Sequence, residues 1–253
     1  MNVKLLIDKV LADPLSQAQP SSILTTNEIM QDPYLVSAYY HKSPYIRLVT
    51  PQHLIGTTIA GKNFPKVKRE VDIPDYVYDH IVETGRALIF VEPFSEYAVI
   101  KQFNEKRFLT FGAKRAIPFG LSNFIQPRYN LLNISTPFTF GTPILIVEGL
   151  RDLCDAQYVY PFTVCTQTDT IPTLTQQVLH TLTDTIILGL DNDKPGSMGT
   201  AKLLRYHQFN YRVLQYPPSI KDVGTLSQLY FKDTFLYRYY LEYLIQQLKL
   251  LST

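Results

Sequence analysis

Two apolar runs in the second half of the chain each end in carboxylates. Pro143-Ile144-Leu145-Ile146-Val147 leads into Glu148 and Gly149, with Asp152 four residues beyond Glu148. Thr185-Ile186-Ile187-Leu188-Gly189-Leu190 leads into Asp191, Asn192 and Asp193. A third run, Tyr211-Arg212-Val213-Leu214-Gln215-Tyr216, is followed by Pro217-Pro218 and then by Lys221-Asp222. Ligands of open α/β sheets bind outside the carboxyl ends of the strands, so acids placed there are expected to share one crevice. Converging carboxylates repel unless a cation neutralises them, and hard oxygen donors suit Mg2+ or Mn2+. The chemistry expected of such a set is metal-dependent phosphoryl transfer.

Local spacing supports this reading and also supplies its rival. Gly149 permits a tight turn that lets Glu148 and Asp152 face the same space. Asp191 and Asp193 are two apart after a strand, which puts both side chains on one side. Lys194-Pro195-Gly196-Ser197 then reads as the turn into a helix whose first amides suit an anion such as a phosphate. The rival reading is capping: Asp-x-Asp is common in turns, and Asp193 reads equally as an N-cap toward Ser197. Three acidic sites in order, each after an apolar strand of one expected sheet, are harder to explain by capping alone.

These acids need a scaffold, and the pattern around them supplies one. Strand 143–147, helix 150–158, strand 162–165, helix 173–181, strand 185–190, a helix from about 197 to 208 and strand 211–216 alternate as in a parallel sheet built from βαβ units. Upstream, 87–93 and 97–103 read as a hairpin around Phe94-Ser95-Glu96, with 107–112 as a third strand. Residues 3–12 have helical spacing stopped by Asp13-Pro14, 27–40 a helix broken near Pro33, and 75–83 a helix ended by Gly85. Residues 41–75 are punctuated by proline and carry no clear period. From 225 to about 250 one or two amphipathic helices form a tail, whose apolar stripe serves either the body of the protein or a partner. The expected division is an N-terminal α+β module, 1–140, with a basic β-rich part at about 85–135. A parallel-sheet domain, 141–225, and a helical tail, 226–253, complete it.

The 253 residues suffice for a sizeable core, and 45% hydrophobic with 18% charged residues is a globular composition. A net charge of +2 demands no polyanionic partner, but its distribution is uneven. Between Val99 and Asn130 stand six basic residues, Lys101, Lys106, Arg107, Lys114, Arg115 and Arg128, against the single acid Glu105. That excess fits either a groove for a polyanion beside the acids or a solvated basic face. The two cysteines, Cys154 and Cys165, exclude a disulfide scaffold and a cysteine-rich zinc site, and suit a reducing cytoplasm. The five histidines show no i, i+4 metal pairing and are taken as incidental. No apolar run of membrane length and no signal-peptide layout is present, so a soluble, cytoplasmic chain without membrane association is expected.

The order of the motifs carries a resemblance. Glu148-Gly149-x-x-Asp152, Asp191-Asn192-Asp193 with Gly196, and Lys221-Asp222 resemble the Toprim domain of topoisomerases, bacterial-type primases and several nucleases. Within that superfamily the bacterial-type DNA primase is most similar. Lys114-Arg115-Ala116-Ile117-Pro118-Phe119-Gly120-Leu121 fills the place of its upstream aromatic-Gly-Leu stretch, and the likeness spans roughly residues 87–225.

The resemblance implies an α/β fold with a Toprim-like parallel sheet flanked by helices, preceded by a smaller α+β module and followed by the helical tail. It implies a DNA-dependent RNA primase core that joins ribonucleotides into short primers on single-stranded DNA during replication. Glu148, Asp191 and Asp193 would be catalytic, and Glu148, Asp152, Asp191, Asp193 and Asp222 would hold two or more Mg2+ or Mn2+ ions. Lys101, Lys106, Arg107, Lys114, Arg115, Arg128 and Lys221 would bind nucleic acid and nucleotide.

The implied partners are single-stranded DNA, ribonucleoside triphosphates, and a replicative helicase or a separate zinc-module protein. There is no zinc site in this chain, and the compact form is similar to a phage-type primase working in host cytoplasm. A Toprim nuclease and a non-catalytic nucleic-acid-binding or assembly subunit are the alternatives. Two departures stand out: Thr166-Gln167-Thr168-Asp169 replaces a Gly-containing loop, and Lys221-Asp222-Val223-Gly224 has one acid where the primases have two.

Overall fold

The computed structural model describes residues 3–17, 24–41, 43, 45–54, 73–102, 108–112, 117–125, 138–168, 170–205 and 208–253. In chain order the elements are α1 (Val3–Ala12), α2 (Thr26–Gln31), α3 (Pro33–Tyr39), β1 (Ile46–Val49), α4 (Asp75–Thr84), β2 (Ala87–Phe90), β3 (Tyr97–Lys101), β4 (Phe108–Gly112) and α5 (Ser122–Ile125). They continue with β5 (Ile144–Val147), α6 (Leu150–Val159), β6 (Thr163–Cys165), α7 (Thr173–His180), β7 (Thr185–Gly189), α8 (Lys194–Arg205), β8 (Asn210–Val213), α9 (Thr225–Leu229) and α10 (Thr234–Ser252). They pack as two compact units, Met1–Asp32 with Pro44–Arg115, and Pro33–Ser43 with Ala116–Thr253. The expected boundary at 140 therefore falls inside the second unit, and so does the expected separate tail.

The first unit is an antiparallel sheet of order β1-β2-β3-β4. Every residue of β1, β2 and β3 is buried, whereas β4 alternates exposed and buried positions as an edge strand does. The β2–β3 hairpin turns where expected, with the Ser95 amide donating to the Glu92 carbonyl at 2.9 Å. Helix α1 places Val3, Leu6, Ile7 and Val10 at helical spacing into a core with Ile89, Val91, Ala98 and Ile100. Helix α4 ends at Gly85, whose φ of 71° is the left-handed conformation that glycine reaches at no steric cost. Strand β1 lies in the stretch that proline obscured: Ile46 pairs with Phe90 and Val49 with Ala87.

The second unit is the expected parallel sheet, of order β6-β5-β7-β8. Strand β5 is central, running parallel to β6 and β7, and all four of its residues are buried. Continuous apolar strands follow from cover on both faces. Helix α10 buries Tyr237, Tyr240, Leu244 and Leu248 on one stripe, so the tail is part of the body. No helix among the described residues is long and apolar enough to cross a membrane.

A buried polar knot closes this unit. Asp155 on α6 accepts from Ser37 Oγ (2.5 Å) through Oδ1 and from the Ser227 amide (2.8 Å) through Oδ2. His41 Nδ1 lies 2.9 Å from Asp155 Oδ1, and its ring stacks on Tyr158 at 4.5 Å. The histidine taken as incidental therefore helps hold α3, α6 and α9 together.

Candidate active site

The acids gather at the carboxyl ends of β5 and β7, and the backbone decides how. Glu148 follows β5, half-buried, and its carbonyl accepts from the buried Cys165 thiol at 3.1 Å. Gly149 caps α6, and Asp152 reaches back so that its Oδ2 accepts from the Gly149 amide at 2.9 Å. Asp152 Oδ1 accepts from the Gly224 amide at 3.0 Å. Both oxygens of this buried carboxylate are thus engaged by backbone N–H groups. Burial first, then the nearby Asp222, raises its pKa to about 7, against the opposing pull of Arg151.

Gly224 is a packing requirement. A Cβ there would lie 2.4 Å from Asp152 Oδ1 and 2.5 Å from Arg151 Nε. Asp152 and Arg151 together leave no room for a side chain at this position. Asp222 is buried beside it, with Oδ1 accepting from Thr225 Oγ1 at 2.9 Å and Oδ2 3.4 Å from Arg151 Nη2. Burial leads the upward shift of its pKa, and Arg151 opposes it. Arg151 also lies over the Tyr34 ring at 5.9 Å, a cation–π distance.

Asp191 and Asp193 share a different cation. Lys221 Nζ lies 2.7 Å from Asp191 Oδ2 and 3.3 Å from Asp193 Oδ2, so the two carboxylates converge on one cation. Asp193 fulfils the capping reading of its motif, because its Oδ1 accepts from the Gly196 amide at 3.0 Å at the start of α8. That amide bond, then Lys221, holds its pKa below the ordinary carboxylate value. Gly196 permits the turn: a Cβ would meet the Asp191 carbonyl oxygen at 2.1 Å. The Asn192 amide donates to the Lys221 carbonyl at 2.6 Å and ties the two loops together.

Among the described residues, no group of three or more His, Cys, Asp or Glu side chains closes on one point. The donor set fits a different arrangement. Mg2+ keeps several waters and is commonly held by one or two carboxylates together with substrate phosphates. Asp191 and Asp193, already converged on the Lys221 ammonium, would be those two carboxylates, with Glu148 at the end of the adjacent strand. Asp152 and Asp222, expected as ligands, are buried and occupied by backbone amides, Thr225 and Arg151.

The basic residues divide less favourably. Lys101, expected to bind nucleic acid, is buried in the first unit, 3.3 Å from Asp32 and donating to the Gln102 carbonyl. Lys106, Arg107, Lys114, Arg115 and Arg128 lie outside the described residues.

Sequence reading missed Arg151, Tyr216 and the role of Gly224. Tyr216 is half-buried, donates to the Gly189 carbonyl at 2.9 Å, and has its pKa raised by desolvation of the hydroxyl and by Asp152. An arginine inside an acid motif and a glycine in an acid's place were the available signals. In the loop after β6, Gln167 takes a left-handed φ of 56°, where a Gly is the usual occupant.

The chain is thus a mixed α/β fold with acids at the carboxyl ends of a four-stranded parallel sheet. No family model and no curated protein matches this sequence. Among solved structures it is similar to primase catalytic cores. A structure of the DnaG catalytic core matches 94% of this chain and 79% of its own, at 16% identity and a TM-score of 0.52. The Escherichia coli primase catalytic core (18% identity, TM-score 0.42) and a DnaG primase catalytic domain bound to ssDNA (17%, 0.43) each match 60% of this chain. The chain spans about half the length of those two, 51% and 50%. The fold is that of the DnaG catalytic core.

Proposed function

We propose that this chain is a primase-type core that transfers ribonucleotides on a single-stranded DNA template with Mg2+ or Mn2+. The observation that supports this most is the convergence of Asp191 and Asp193 on one cation at the end of the central parallel strands, in a chain with the DnaG core fold. Asp191 and Asp193, with Glu148 beside them, would hold the metal. The bound ion would lower the pKa of the attacking 3′-hydroxyl and neutralise charge on the leaving pyrophosphate.

The remaining residues position that pair. Gly196 and the Asp193 cap fix the α8 start and with it the position of the Asp193 carboxylate. Asp152 and Asp222 hold the α6 and α9 ends together, and Arg151 keeps their charge neutralised from within. Single-stranded template, ribonucleoside triphosphates, and a helicase or zinc-module partner belong to this same reading.

The test is incubation with single-stranded DNA, labelled ribonucleotides and Mg2+ or Mn2+. Short RNA products are expected, reduced at least about a hundredfold by Asp191→Ala, since metal contributes several kcal/mol to such barriers. Cleavage of DNA without synthesis would assign the site to a nuclease. The engaged state of Asp152 and Asp222 favours a third reading, a non-catalytic binding subunit, and DNA binding with neither activity would establish that one.

A further inference from the structure

Two cations neutralise the acids, and they differ in how firmly they are held. The Arg151 side chain is 23% exposed, and its partner Asp222 is 6% exposed. Gly224 packs against it so closely that a Cβ would lie 2.5 Å from its Nε. Arg151 is therefore built in. Lys221 is 56% exposed, and its partners Asp191 and Asp193 are 15% and 38% exposed. An ion pair this open contributes little net attraction, and the long lysine stem swings freely once released.

We propose that Lys221 is an exchangeable counter-ion. A divalent cation displaces its ammonium from Asp191 and Asp193, the freed lysine turns toward the phosphates, and Asp222 keeps Arg151 and takes no ion. The inference rests on the metal-dependent reading above and adds to it a loading order and a stoichiometry. The ammonium lies within hydrogen-bonding distance of one carboxylate and within 3.3 Å of the other. A divalent ion bound to the same oxygens would meet a like charge at contact distance, so the two occupants exclude each other. The doubly charged ion gains more from the same two carboxylates, and a triphosphate brings further charge to draw the lysine away. On the Asp222 side there is no such opening, because the guanidinium is wedged between Gly224 and Asp222.

The test is calorimetric titration of the full chain with Mn2+ alone, then with Mn2+ and ATP, for wild type, Lys221→Gln and Lys221→Arg. Circular dichroism would check that each variant folds. Lys221→Gln is expected to bind Mn2+ about three- to tenfold more tightly and Mn2+ with ATP less tightly, because it removes both the competitor and the phosphate contact. Lys221→Arg keeps the charge and is expected to retain the weaker, wild-type Mn2+ affinity. Each protein is expected to take one ion. If wild type binds Mn2+ and Lys221→Gln binds it no better, Lys221 is no competitor and the inference falls while the metal reading stands. Two ions per wild-type chain would overturn the assignment of Arg151. If neither protein binds Mn2+ at millimolar concentration, the metal-dependent reading fails and takes the inference with it.

Discussion

At the scale of the residue, Gly224 closes the corner of the site held by Asp152 and Arg151. Its amide donates to Asp152, and any side chain there would press on the same carboxylate and on Arg151. Gly224→Ala is expected to cost about 1–3 kcal/mol, the usual range for overpacking, measured by urea unfolding. Gly224→Asp should cost more and bind no additional Mn2+, since it sets a further buried acid against Asp152. Unchanged stability in the alanine variant would show that the contact relaxes freely.

Asp152 also gives the protein a pH signature. Its pKa, raised to about 7 by burial and Asp222, exceeds the unfolded value of 3.8, and Asp222 is shifted in the same sense. A raised carboxyl contributes stability that is complete below the unfolded pKa and is lost as pH climbs through the folded one. The stability of wild type relative to Asp152→Asn should therefore decline between pH 4 and 7. A difference that stays constant across that window would contradict the assignment.

At the scale of the element, Asp155 fastens α6 to α3 and α9 through Ser37, His41 and the Ser227 amide. Asp155→Ala strands three polar groups in the interior and is expected to destabilise the protein by about 3 kcal/mol or more, read as a lowered urea midpoint. Little change would mean that the packing of the surrounding rings alone holds these helices. The elements themselves were largely legible in the sequence. Apolar runs ended by Gly or acids gave β5 and β7 within a residue, and Gly85 stopped α4 as a left-handed cap does.

The failures have physical reasons. Strand β1 is four residues long, sits among prolines, and finds its partner β2 forty residues later, so no local period announces it. Helix α8 begins at Lys194 and not near Ser197, because the Asp193 cap admits Pro195 into the first turn, where its missing N–H costs nothing. In the site, residue types were readable and pairings were not. Lys221 lies about thirty residues from Asp191 and Asp193, Arg151 is 71 from Asp222, and only the folded sheet brings each pair together.

At the scale of the molecule, the chain does not divide where its composition changes. Residues Pro33–Ser43 leave the first unit and belong to the second, after which the chain returns at Pro44. The inserted segment supplies Ser37 and His41 to the Asp155 knot, and Tyr40 packs against Tyr230 and Phe231 with ring centroids 4.7 and 5.1 Å apart. A fragment beginning at Ala116 would keep the whole parallel sheet and every proposed metal ligand, yet it would leave Asp155 without two of its partners. That fragment is expected to melt at lower temperature and over a broader range than the same fragment carrying residues 33–43 joined by a flexible Gly-Ser linker, measured by circular dichroism. Restoring α3 restores buried hydrogen bonds and aromatic contacts that the sheet cannot replace. If the two fragments melt alike, α3 is an accessory to the second unit. If only the joined fragment melts cooperatively, the segment is part of that unit's fold, and the site can be studied without the first unit.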